Sequence, residues 1–154
     1  MERSGWQGVR AAIKAMLEEA GYIVRGSKGV STTEKRYVVI VSDAETNLDR
    51  GNYVGNGQYR NERAFTLWVY NKRTEATKEL DMIVQAAKDE CEPILQDFKR
   101  IFGSTYNAIG DAGGINLKYT GMRFVDVPKS GIYAPVRMEA NFTVQFVEDR
   151  HINQ

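Results

Sequence analysis

The sequence predicts an α+β domain: a mostly antiparallel sheet with an N-terminal helix and a long, proline-containing helix packed on one face. Two segments, 6–20 and 80–101, repeat apolar residues at spacings of three and four, as amphipathic helices do. Several other stretches alternate apolar and polar residues with period two, as half-buried strands do. The order is helix, strands, long helix, two long strands.

The first helix rests on Trp6, Val9, Ile13, Met16 and Ala20, which form one stripe. Ser4 and Gln7 fit a capping box, in which the hydroxyl covers an orphan N–H and the glutamine reaches back. Gly21 stops the helix in a left-handed turn. "YIVRGS" reads as a short strand and "KGVSTTEK" as a polar turn. "RYVVIVSD", 36–43, is a strand, and its run Tyr37 to Val41 is apolar on both faces, which suits a central place in the sheet.

Residues 44–62, "AETNLDRGNYVGNGQYRNE", carry three glycines, four asparagines and few apolar side chains. Neither a helix nor a clean strand is expected there. A connection that long in a compact domain is usually functional or disordered. "RAFTLWVY", 63–70, is a strand with Phe65, Leu67 and Val69 on one face and Thr66, Trp68 and Tyr70 on the other. The second face is amphipathic, which suits cover by another layer or another subunit.

Residues 74–102 are expected to be helical through Leu80, Ile83, Ala87, Cys91, Ile94, Phe98 and Ile101. Pro93 removes one hydrogen bond while the stripe stays in phase, so a kink or short break is expected at Glu92–Pro93. Gly103 ends the segment, and "NAIGDAGG" is a loop. In the strand 115–127, Ile115, Leu117 and Tyr119 share a face, and Met122 and Phe124 take over after Gly121. That phase change predicts a β-bulge at Thr120–Gly121. "PKSGIYAP" turns the chain into "VRMEANFTVQFVED". There Val136, Met138, Ala140, Phe142, Val144 and Phe146 alternate with polar residues over eleven positions. Such a strand runs about 36 Å, its even positions facing the helices and its odd positions facing away.

With 154 residues and no internal repeat, the chain is expected to form a single domain over 1–154, with the long loop at 44–62. Lys plus Arg is 21 and Asp plus Glu is 20, for a net charge of +1. That balance argues against a dedicated nucleic-acid or anionic-membrane binder. Cys91 is the one cysteine, so no internal disulfide forms and a reducing compartment is expected. No apolar run approaches a membrane span, and the N-terminus lacks a signal core. A soluble, intracellular protein with no membrane partner is expected.

Little in the chain points to catalysis. His151 is the one histidine and lies beyond the last strand, and Cys91 sits on the apolar stripe of the long helix, where core packing explains it. One His and one Cys leave no nitrogen–sulfur metal site. Asp81, Asp89, Glu90 and Asp97 lie mainly on the polar side of the long helix, as a solvated face. "GDAGG", 110–114, leads into a strand, whereas a phosphate cradle needs a helix N-terminus. No catalytic residue, metal ligand or cofactor is therefore assigned. "RGNYVGNGQYR", 50–60, mixes Arg, Tyr and Gly. That mixture suits a protein contact, since Tyr and Arg are favoured anchors. It also suits stacking on single-stranded bases, though the chain supplies no basic patch to support that.

The N-terminal amphipathic helix, "RYVVIVSD", the long polar segment, "RAFTLWVY", the long helix and two terminal strands follow in an order that resembles the tail terminator (tail completion) proteins of long-tailed bacteriophages. "YAPVRMEANFTVQFVED" is similar to that family's last strand. The resemblance covers nearly the whole chain and rests on element order, length and pattern. It implies a structural virion protein, made in the bacterial cytoplasm and placed at the tail or neck. Such a protein assembles, typically as a hexameric ring, on the end of the tail tube, stops tube growth and joins the tail to the head connector. Its partners are other copies of itself, the tail tube protein and the connector or neck protein. The genome passes through without specific recognition. By position, the 44–62 segment becomes the candidate contact, with Arg50, Tyr53 and Arg60 foremost. The polar row Asn141, Thr143 and Gln145 suits a patch that meets a neighbour in a closed ring. The alternatives are another neck, tail-tube or baseplate subunit, a small single-stranded nucleic-acid-binding module, and an enzyme. Tube proteins are more strand-rich, so the helical share of this chain favours the terminator.

Overall fold

The computed structural model describes residues 5–25, 35–48, 58–71, 79–103, 114–127 and 136–149. They form α1 (Gly5–Glu19), β1 (Val24–Arg25), β2 (Arg36–Asn47), β3 (Gln58–Asn71), α2 (Leu80–Phe102), β4 (Gly114–Asp126) and β5 (Val136–Asp149). The five strands make one sheet in the order β1-β2-β3-β5-β4. Only β1 runs parallel to its neighbour; the remaining pairings are antiparallel. The fold is α+β, with both helices on one face of a mostly antiparallel sheet.

Val9, Ile13 and Leu17 are the fully buried residues of α1's stripe, spaced one turn apart. Ala20 is exposed, because the helix has already ended at Glu19. Gly21 takes φ +98°, and the Gly21 and Tyr22 N–H groups donate to the Glu18 and Leu17 carbonyls at 3.0 Å each. This is the Schellman arrangement, and it satisfies two carbonyls the helix would otherwise leave open. Ser4 lies outside the described residues, as do 28–34 of the expected polar turn, 107–113 of the expected loop, the whole turn 128–135 before β5, and His151.

α2 is described from Leu80, and residues 74–78 of the expected helix lie outside the described residues. Glu79 is extended, with no side-chain cap. The helix continues through Pro93 without a break. Pro93 is exposed, so the hydrogen bond it removes is lost on the solvent side while Ile94, Leu95 and Phe98 keep their hold on the core. The two helices, of 15 and 23 residues, are outweighed by strands of 12, 14, 13 and 14, so the described chain is more strand-rich than expected.

The sheet departs most from expectation at 44–62. β2 continues to Asn47 and β3 begins at Gln58, so much of the supposed loop is strand. Gln58–Glu62 pair with Gln145–Asp149 of β5, and Glu45–Asn47 pair with Asn61–Arg63. Backbone pairing needs no apolar side chains, which is why composition concealed these strands. Among the described residues, β1 flanks β2 at Val38 and Val39 alone, so β2 is central there. Its two-sided apolar run is real: Val38 and Ile40 join the helix-side core, while Tyr37 and Val39 join a second cluster on the other face. In β4, Tyr119 pairs with Phe142 and Gly121 with Asn141, so Thr120 is the extra residue of the expected bulge. A second irregularity lies between Ile115 and Lys118, where Asn116 adopts φ +52°.

The main core lies between the helices and the sheet. All six even positions of β5 from Val136 to Phe146 are buried. Burial of each Val, Met or Phe side chain is worth about 1.5–3 kcal/mol. Phe142 is the hub, with ring centroids of Phe65, Phe102 and Tyr119 at 5.5, 5.3 and 5.7 Å.

Candidate functional site

Residues opposite each other in an antiparallel pair point to the same face. Phe65, Leu67 and Val69 face the helices, so Arg60, Glu62, Ala64, Thr66, Trp68 and Tyr70 face outward. The register sets Gln145 against Glu62, Thr143 against Ala64, Asn141 against Thr66, Glu139 against Trp68 and Arg137 against Tyr70. The expected contact residues Arg60, Asn141, Thr143 and Gln145 therefore stand together on the outer face of the sheet. Arg50 and Tyr53 lie outside the described residues.

The polar row is internally bonded. The Thr66 hydroxyl donates to Asn141 Oδ1 at 2.8 Å. Gln145 accepts from Asn116 Nδ2 at 3.1 Å and donates to Glu62 Oε2 at 3.3 Å. Asn141, Thr143 and Gln145 are all half-buried, and no described helix covers them. Arg60 is exposed near the base of the β2–β3 hairpin. Its carbonyl accepts the Leu48 N–H at 2.9 Å, and Asn47 Nδ2 donates to the buried Asn61 at 3.0 Å. These bonds hold the hairpin base in register.

Glu139, which the sequence offers only as an outward polar position, continues the row. Glu139 is 3% exposed. Arg123 Nε donates to Glu139 Oε1 at 2.8 Å, and Arg137 Nε and Nη2 approach Oε2 at 2.8 and 2.6 Å. Two guanidinium groups thus repay the cost of taking a carboxylate out of water. The Arg137 guanidinium lies 3.7 Å from the Trp68 ring centroid and also donates to the Tyr70 hydroxyl at 3.4 Å. Burial opposes its charge, but the bonds to Tyr70 and Glu139 prevail and its pKa is raised. Tyr70 stacks on Tyr37 with centroids 4.8 Å apart. The one trace of this cluster in the sequence is Arg137-x-Glu139, opposite charges two apart on a strand and so on one face.

On the helix side, the Tyr22 hydroxyl donates to Asp97 Oδ2 at 2.5 Å and ties the chain after α1 to α2. Burial and that bond raise the Tyr22 pKa, while the same bond lowers that of Asp97. Asn71 is buried and donates to Glu90 Oε2 at 2.5 Å. Glu90 and Asp97 thus anchor α2, whereas Asp81 and Asp89 are solvated as expected. Cys91 is fully buried in the core. Among the described residues, no three His, Cys, Asp or Glu side chains are grouped to hold a metal ion, and no helix is long and apolar enough to cross a membrane. No protein-family model matches the chain, and no curated protein matches it.

Proposed function

We propose that the chain is a structural, ring-forming subunit of a phage tail, of the tail terminator type, with no catalytic role. The observation that carries the reading is the two-layer architecture. The long strands carry both described helices on one face, and the other face presents Arg60, Asn141, Thr143 and Gln145 together. A sheet face with half-buried polar and aromatic residues suits contact with another protein layer. A subunit that meets a copy of itself through two different patches builds a ring or a filament. The element order on which the resemblance rests is compatible with this role.

A neck, tail-tube or baseplate subunit would use the same kind of face, and the larger strand share lends that second reading some weight. Electron microscopy of the purified chain, alone and mixed with tail tubes, separates them. Rings that cap tube ends are the expected result. Co-polymerisation into tubes would favour the tube reading, and a chain that stays monomeric and never touches tubes would overturn both.

A further inference from the structure

We draw no further inference here: the strongest candidate, the Arg123–Glu139–Arg137 cluster beside Trp68 on the outer face of the sheet, pairs its charges within itself, and nothing in the structure shows what covers it.

Discussion

Cys91 packs against the helix-side core, and burial pushes its thiol up to about 11. Only the thiolate attacks a disulfide reagent, so the folded protein at neutral pH should react with Ellman's reagent no faster than it unfolds. Rapid reaction without denaturant would show that the helix-side core is open. The raised value has a second consequence. Between the ordinary value near 9.0 and about 11, the unfolded chain releases a proton that the folded chain keeps, so stability falls as pH rises through that window. Tyr22 acts with the same sign. Asp97 acts in the opposite direction: its lowered pKa gives stability above the usual carboxylate range that is lost as pH falls through it. Tyr22→Phe should cost about 0.5–1.5 kcal/mol at neutral pH and flatten the acid limb of a urea stability profile. On the outer face, Glu139→Ala leaves Arg137 without its carboxylate. A loss of about 3 kcal/mol is expected from urea unfolding, at the low end for a broken buried pair because the Arg123 side chain is 70% exposed. An unchanged midpoint would mean that Arg137 is held by Trp68 and Tyr70 alone.

At the scale of elements, the legible parts of the chain were those where burial imposes a period. The β5 alternation, the Val9–Ile13 spacing, the long α2 stripe and the phase change at Gly121 each mark a face pressed against the core, and each has its counterpart in the structure. What stayed illegible was held by something other than apolar burial. Residues 44–47 and 58–62 are strand through backbone pairing, with Asn47 and Asn61 sharing an amide bond across the hairpin base. Glu139 is buried through two arginines, one on a different strand, and pairing between strands cannot be read from spacing within one. Of the expected contact row, the sequence fixes only that Asn141, Thr143 and Gln145 share a face; the register with β3 adds Arg60. Phe142 sits where both layers meet. Phe142→Asp should unfold the domain, because it buries a charge with no described cation opposite, and Phe142→Ala should cost about 3–5 kcal/mol. Far-ultraviolet circular dichroism checks the first and denaturant titration the second.

Among the described residues, the sheet carries a helix layer on one face and none on the other. The helices use up the apolar residues of one face, and the other face divides its own between a sealed cluster at Tyr37, Val39 and Tyr70 and a half-open polar row. The sealed end needs no partner, so assembly should depend on the open end, towards Arg60. Arg60 is exposed, its strand position is fixed by pairing with Val147, and its side chain contributes nothing to either buried cluster. Arg60→Ala should therefore keep stability within about 0.5 kcal/mol of the parent, as surface substitutions do. Assembly should weaken in the same protein, with the oligomer appearing only at several-fold higher concentration in sedimentation velocity. The pairing of the two measurements is what makes the prediction sharp. Weaker assembly with a lowered Tm would mean that Arg60 acts through the hairpin base it shares with Asn47 and Leu48. Unchanged assembly with unchanged Tm would remove the open end of the outer face from the contact and return the search for a neighbour's footprint to the edge strands.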